Sequence, residues 1–98
     1  GKTIVALAAI FQVSGNNKQS AMMAPTELLA RQHYESLKDL CFKSNINIEI
    51  LTGKTKRLER ERILDDLKKG KISIVIGTHA LFQEKVIFNN LGLVIIDE

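Results

Sequence analysis

The sequence predicts an α/β fold in which a parallel sheet carries helices on both faces. Three observations support this prediction. Apolar segments with helical and with strand-like periodicity alternate along the chain. The strand-like segments are rich in Ile and Val, as buried parallel strands are. The polar motifs begin helices or follow strands, so they should meet at the carboxyl edge of the sheet, where open α/β sheets bind ligands.

The first part of the chain predicts a helix, a strand and a second helix. Residues 3–13 are almost all apolar and rich in Ala, which favours a buried helix. Gly15 is expected to cap its carboxyl end. Residues 20–24 form a short apolar run, as a buried strand does, and Thr26 is placed to cap a helix over residues 27–42. That helix carries one apolar stripe, formed by Ala30, Tyr34, Leu37 and Cys41.

The middle of the chain predicts a second strand and a charged helix. Ile46, Ile48 and Ile50 alternate with polar residues, which is typical of a strand with one face in the core. Residues 55–69 predict a solvated, charged helix that Gly70 ends. Three leucines of this helix are expected to point inward: Leu58, Leu64 and Leu67.

The last third of the chain predicts two further strands. Residues 72–76 are largely β-branched, as expected for a strand covered on both faces. A short helix or turn is expected near residues 80–83, and residues 93–96 should form one more buried strand. The alternation of helices and strands requires parallel pairing, because each helix carries the chain back to the start of the next strand.

The composition is that of an ordinary globular segment. Of 98 residues, 45% are hydrophobic, and no apolar run approaches the roughly 20 residues that span a bilayer. The apolar first segment lacks the charged leader and cleavage site of a signal peptide. Cys41 is the single cysteine, which excludes an internal disulfide and fits a reducing, cytoplasmic location. The net charge of +3 is only a mild preference for polyanions.

Gly1, Lys2 and Thr3 open the first predicted helix and match the end of a phosphate-binding loop. Amides at a helix N-terminus hold phosphate oxygens, since they are unpaired donors with partial positive charge. In this pattern Lys2 would reach the β- and γ-phosphates of ATP, and the Thr3 hydroxyl would ligate Mg²⁺. The tripeptide is short enough to arise by chance.

Asp97 and Glu98 follow the last predicted strand and strengthen that interpretation. A buried strand that delivers carboxylates opposite a phosphate loop is how a magnesium site is built. Asp97 would hold Mg²⁺ largely through its water shell, and Glu98 would orient and deprotonate the attacking water. The predicted catalytic residues are therefore Lys2, Asp97 and Glu98, and the predicted cofactors are ATP and Mg²⁺. A solvated acidic pair at a strand end is the plainer alternative.

Four segments resemble, in order, motifs Ia, Ib, Ic and II of the superfamily 2 helicases. They are residues 24–32 (APTELLARQ), 51–54 (LTGK), 77–81 (GTHAL) and 97–98 (DE). The longer strings MAPTELLARQH, IGTHALFQE and LGLVIIDE are similar to the RecG family within that superfamily. The resemblance implies a RecA-like P-loop NTPase fold. It also implies an ATP-dependent bacterial DNA helicase, nucleoid-associated, that remodels branched DNA and stalled forks in recombination and repair.

The resemblance further implies a path for DNA along the carboxyl edge. The residues that would contact mainly the sugar-phosphate backbone are Pro25, Thr26, Arg31, Gln32, Thr52, Gly53, Thr78 and His79. Each also has a structural interpretation: Thr26 is a good helix cap, Arg31 suits a solvated helix face, and His79 suits a turn. His33 is interpreted as an ordinary surface or partly buried residue.

We expect residues 1–98 to be a partial first motor domain, truncated at both ends, of a longer protein. The rest of the motor and a wedge domain that engages the DNA are its expected partners within the parent chain. The isolated chain is expected to be inactive, because an arginine finger alone contributes factors on the order of 10³–10⁵ to phosphoryl transfer.

Two alternatives stay open at the level of sequence. One is a translocase of the transcription-repair coupling (Mfd) family, whose motor is closely related. The other is a non-motor P-loop nucleotide-binding protein. The latter would account for Lys2, Thr3 and Asp97, but it leaves the other motifs and Glu98 without a role.

Overall fold

The computed structural model describes residues 2–79, 81 and 86–97, and for residues 2–7 it describes the backbone alone. It contains three helices and four strands within these ranges. In chain order they are α1 (Lys2–Gly15), β1 (Gln19–Met23), α2 (Glu27–Lys43), β2 (Ile48–Leu51), α3 (Arg57–Lys69), β3 (Ile74–Gly77) and β4 (Leu91–Ile96). The helix or turn predicted near residues 80–83 lies mostly outside the described residues.

The four strands form one sheet in the order β2-β3-β1-β4. Every pair of neighbouring strands is parallel. Helices cover both faces, since α1 and α2 pack on one face and α3 packs on the other. The predicted fold class is confirmed. Among the described residues, no helix is both long enough and apolar enough to cross a membrane.

Alternation along the strands divides the core between the two faces of the sheet. In β3, Ile74 and Ile76 face α1 and α2, whereas Val75 faces α3. All three are completely buried, because β3 is an interior strand with helices above and below it. Cys41 is buried in the cluster that α1 and α2 form against the sheet, as predicted. Its burial raises the pKa of its thiol.

The predicted cap of the first helix was wrong. Gly15 is the last residue of α1, and the left-handed residue that ends the helix is Asn17, with φ of 60°. The Lys18 N–H then donates to the Val13 carbonyl at 3.1 Å, which closes a Schellman-type turn. Asn tolerates this conformation better than other side chains, so it can replace Gly here.

The prediction that Leu58 of α3 points inward was also wrong. Leu58 lies in the first turn and is 81% exposed, whereas Ile63 and Leu67 form the buried contacts and Leu64 is partly buried. The helix begins at Arg57, and the α3 residues of the buried cluster on this face, Ile63 and Leu67, come from its later turns. Gly70 ends the helix as predicted, in the left-handed conformation with φ of 79°.

Strand β4 is exposed where the sequence predicted burial. Leu93 and Ile95 pack on the face covered by α1, but Val94 and Ile96 are 44% and 57% exposed on the opposite face. Among the described residues, the cluster that α3 forms on that face includes residues of β1, β2 and β3 and none of β4. β4 lies at the end of the sheet, beyond the reach of this helix.

The buried amide of Gln19 joins three segments at the amino edge of the sheet. Its Nε2 donates to the carbonyls of Leu67 at 2.9 Å and Ile72 at 2.8 Å. Its Oε1 accepts from the Asn90 N–H at 2.9 Å. The Gln19 side chain is therefore the hydrogen-bond partner of a carbonyl at the end of α3, a carbonyl just before β3 and an N–H just before β4. The sequence analysis assigned no role to this residue.

We expect Gln19→Leu to destabilise the chain by roughly 1–3 kcal/mol, because it leaves buried backbone groups without partners. Urea unfolding followed by circular dichroism measures this loss. Gln12→Leu is the matched control, since Gln12 is exposed on α1. Equal stabilities for the two variants would contradict the role of Gln19.

Candidate nucleotide and nucleic-acid edge

The carboxyl ends of the strands are tied together by backbone hydrogen bonds. The Ala24 N–H donates to the Gly77 carbonyl at 2.8 Å, which links the end of β1 to β3. The Asp97 N–H donates to the Met23 carbonyl at 2.8 Å, which links β4 to β1. The segments that follow the strands therefore begin at one edge, called the carboxyl edge below.

Helix α1 begins toward this same edge. It packs against β1 and β4, and the tight turn at residues 16–18 reverses the chain between α1 and β1. The first turn of α1, which contains Lys2 and Thr3, is thereby directed to the carboxyl ends of the strands. The side chains of Lys2 and Thr3 lie outside the described residues, as do Gly1 and Glu98.

Asp97 directly follows β4 and contacts a histidine of α2. The His33 Nε2 and the Asp97 Oδ2 are 2.8 Å apart. Both side chains are partly exposed, at 25% for His33 and 38% for Asp97. His33 was interpreted from the sequence as a surface or partly buried residue, and it is partly buried. Its contact with Asp97 was not predicted. The pair is separated by 64 positions, so no periodicity in the sequence could have indicated it.

The start of α2 exposes four of the predicted DNA-contacting residues. They are Pro25, Thr26, Arg31 and Gln32. The Thr26 Oγ1 accepts from the Leu29 N–H at 3.2 Å, which confirms that Thr26 is the N-cap. This bond satisfies one of the amides that every helix start leaves unpaired. Arg31 and Gln32 thus lie on the first two turns of a well-capped helix, and Pro25 and Thr26 lie at its cap.

Thr52 has a structural role in the turn that follows β2. Its side chain is almost fully buried, and its Oγ1 accepts from the Lys54 N–H at 3.2 Å. The Thr52 carbonyl accepts from the Thr55 N–H at 3.1 Å and from the Arg60 guanidinium at 2.8 Å. The groups of this loop that face solvent are Gly53 and Lys54.

Thr78 and His79 follow β3 and belong to a turn. The Thr78 carbonyl accepts from the Leu81 N–H at 2.9 Å. Thr78 is partly buried, and His79 is exposed. Both residues lie at the carboxyl edge, where the sequence placed them, and His79 has the exposure that a contact with an external ligand requires.

The charges of α3 are largely paired with one another. Arg62 contacts Glu49, Glu59 and Asp66. Its hydrogen bonds to Glu59 and Glu49 raise the pKa of the guanidinium above its usual range. Lys69 bonds to Asp65 at 2.8 Å, and this bond lowers the pKa of the Asp65 carboxyl. These pairs agree with the predicted solvated helix.

The sequence model of the DEAD/DEAH box helicase family matches residues 1–98. The chain belongs to the DEAD/DEAH box helicase family. This membership removes the support for a non-motor P-loop protein, because the family accounts for the motifs that such a protein would leave without a role.

Similar curated relatives include a DNA helicase and a transcription-repair-coupling factor. The ATP-dependent DNA helicase RecG of Staphylococcus epidermidis is 50% identical over 98 residues, which cover 100% of this chain and 14% of that protein. The transcription-repair-coupling factor of Haemophilus influenzae is 49% identical over the same length, which is 9% of that protein. The chain therefore spans a small part of the relatives it matches.

Solved structures agree with the fold. A structure of RecG bound to a three-way DNA junction is 50% identical, with a TM-score of 0.94 over 100% of this chain and 13% of that chain. The Mycobacterium smegmatis helicase Lhr, bound to single-stranded DNA and AMP-PNP, is 24% identical, with a TM-score of 0.75. That alignment covers 94% of this chain and 12% of that one. The fold is the RecA-like fold of helicase motor domains.

Gly77 allows the close approach of β2 and β3 at the carboxyl edge. A Cβ at this position would lie 2.5 Å from the Leu51 carbonyl oxygen and 3.0 Å from the Leu81 Cβ. The first of these contacts is with backbone, which cannot move aside without separating the strands.

We expect Gly77→Ala to lower the free energy of unfolding by roughly 1–3 kcal/mol through overpacking. Gly15→Ala serves as the control, because no atom lies within 4 Å of its added Cβ. Urea unfolding distinguishes the two variants. A Gly77→Ala variant as stable as Gly15→Ala would show that the strand ends tolerate a wider separation.

Proposed function

We propose that residues 1–98 are part of the first motor domain of a RecG-like ATP-dependent DNA helicase that remodels branched DNA. The observation that carries this proposal is the carboxyl edge itself. The beginning of α1, Asp97 and the exposed residues of α2 lie at one edge of a parallel sheet. A nucleotide site and a DNA track that share one edge can be coupled mechanically. The 50% identity with a RecG helicase supports the assignment.

The proposed nucleotide site consists of Gly1, Lys2, Thr3, Asp97 and Glu98. The helix start and Lys2 would bind the phosphates, Thr3 and Asp97 would hold Mg²⁺, and Glu98 would orient and deprotonate water. A bound Mg²⁺ would supply charge neutralisation at the phosphoryl group.

The described residues fit a magnesium ion that is held by few protein ligands. Asp97 offers a partly exposed carboxylate at the edge toward which α1 begins. No cluster of three or more His, Cys, Asp or Glu side chains that could hold a metal occurs among the described residues. The single partly exposed carboxylate of Asp97 suits Mg²⁺, which keeps several waters and binds through one or two carboxylates together with substrate phosphates.

The proposed DNA track follows the carboxyl edge across β1, β2 and β3. It includes Pro25, Thr26, Arg31 and Gln32 on the α2 side. It continues through Thr52, Gly53, Thr78 and His79. The burial of Thr52 means that its loop would approach DNA through Gly53 and Lys54. Hydroxyls, amides and single cations suit backbone contacts that ignore base sequence.

A transcription-repair coupling translocase is the second candidate, because a relative of that class is 49% identical over the whole chain. The identities of 50% and 49% are nearly equal, so the 98 residues do not separate the two candidates. Assays with the full-length protein do. Unwinding of a three-way junction favours the RecG-like function, and release of a stalled RNA polymerase favours the coupling factor.

We expect Glu98→Gln in the full-length protein to keep ATP binding and to lower DNA-stimulated turnover by at least 100-fold, in line with the usual weight of a general base. Gln keeps the size of the side chain but cannot take the proton. Binding of a fluorescent ATP analogue and steady-state ATPase are the two measurements. Wild-type turnover in this variant would remove Glu98 from the catalytic set.

We expect Arg31→Ala to weaken DNA binding uniformly across sequences and to reduce the slope of log K against log salt by about 1. Arg31 tests the track better than Thr26, which also caps α2. Lys43→Ala is the control, since Lys43 is exposed at the other end of the same helix, about 18 Å away. An unchanged salt slope for Arg31→Ala would leave Arg31 a surface residue of the helix.

A further inference from the structure

We propose that His33 is a positioning residue that holds the Asp97 carboxylate and links helix α2 to the magnesium site. The proposal rests on the proposed function, because it assigns Asp97 to Mg²⁺ and the start of α2 to DNA. His33 belongs neither to the proposed nucleotide site nor to the proposed DNA track, and it contacts Asp97 of the nucleotide site directly. His33 would be the path by which a shift of α2 on DNA reaches the metal.

The contacts of Asp97 fix its main chain and its side chain separately. Its N–H donates to the Met23 carbonyl at 2.8 Å, so its backbone is held by the end of β1. Its Oδ2 lies 2.8 Å from the His33 Nε2. Among the described residues, no other side chain bonds to this carboxylate. Within the described part of the chain, the imidazole of His33 is therefore the side chain that orients the carboxylate.

The position of His33 is set by the packing of α2 on the sheet. His33 lies between Ala30, three residues earlier, and Leu37, four residues later, and both are buried against the sheet. Arg31 and Gln32 immediately precede it and face solvent. A displacement of α2 by DNA at its exposed face would move the imidazole relative to Asp97, since the helix moves as a unit.

The chemistry of the pair suits a supporting role at a metal site. An ionised carboxylate can only accept, so the His33 Nε2–H donates to Oδ2. The bond occupies one carboxylate oxygen and leaves the other for a hydrated cation. Groups that orient a metal-binding carboxylate typically change metal affinity by about 10–100-fold when they are removed.

The test uses the full-length protein and three variants. His33→Leu removes the donor, His33→Gln keeps an N–H at similar reach, and Ser36→Ala is the control on the next turn of α2, where Ser36 is exposed. Binding of Mn²⁺ in the presence of a non-hydrolysable ATP analogue is measured by electron paramagnetic resonance. This readout does not depend on turnover. The Mg²⁺ concentration for half-maximal DNA-stimulated ATPase is measured in parallel.

We expect His33→Leu to raise the Mn²⁺ Kd and the half-maximal Mg²⁺ concentration by about 10-fold or more, in line with the usual effect of such groups. His33→Gln should recover most of the loss, and Ser36→Ala should match the wild type. DNA binding at fixed salt, measured without metal or nucleotide, should be unchanged in all three variants. A junction DNA that alters the Mn²⁺ Kd of the wild type should have less effect in His33→Leu, because the link is absent.

Three outcomes would overturn the proposal. An unchanged Mn²⁺ Kd in His33→Leu would make the contact a surface pair, and a lower Kd would make His33 a competitor of the metal. A His33→Gln variant that folds but binds Mn²⁺ as weakly as His33→Leu would exclude the hydrogen bond as the cause. Failure of the proposed function is distinguishable, because it would appear as a wild-type protein without DNA-stimulated ATPase.

Discussion

Strand β1 hydrogen-bonds to a neighbour on each side, and the arrangement of the carboxyl edge depends on this pairing. It holds β3 on one side and β4 on the other, in parallel register. Because all three run the same way, the segments after them begin at one edge. The pairing extends past the strands, where the ends of β3 and β4 are bonded to the chain that leaves β1. At the opposite edge, Gln19 at the start of β1 fixes the approaches to the same two strands.

This arrangement places the groups proposed for chemistry and for DNA on adjacent loops. Asp97 follows β4, the N-cap of α2 follows β1, and β4 is the direct neighbour of β1. Helix α2 is therefore the element of the proposed DNA track that lies nearest to the acidic motif. The contact between His33 and Asp97 is a consequence of that adjacency. A single side chain, that of His33, therefore joins the element proposed for DNA to the carboxylate proposed for Mg²⁺.

The predictions that depended on local signals were largely confirmed. The N-cap of α2, its buried stripe and the left-handed Gly70 follow from residues within a few positions of one another. The cap predicted at Gly15 is the exception, because Asn17 ends α1 instead. The failed prediction for Leu58 and the structural role of Thr52 required knowledge of neighbouring elements. Leu58 matched the leucine pattern of α3, but it is exposed and Ile63 takes part in the buried cluster instead. The DNA contact predicted for Thr52 stays a prediction, and the structure adds that its buried hydroxyl accepts from the Lys54 N–H. Both outcomes depend on which element lies beside the residue.

The sequence alone determined the class of fold, the order of the elements and the motifs that indicate a helicase. It could do so because helical and strand periodicity, capping and motif spacing are properties of contiguous residues. The tertiary structure decided the strand order β2-β3-β1-β4, and with it the exposure of Val94 and Ile96 on a strand that α3 does not reach. It also decided the bonds of Gln19 and the pairing of His33 with Asp97. These contacts join residues 48 to 71 positions apart, and only the packing of the sheet brings them together.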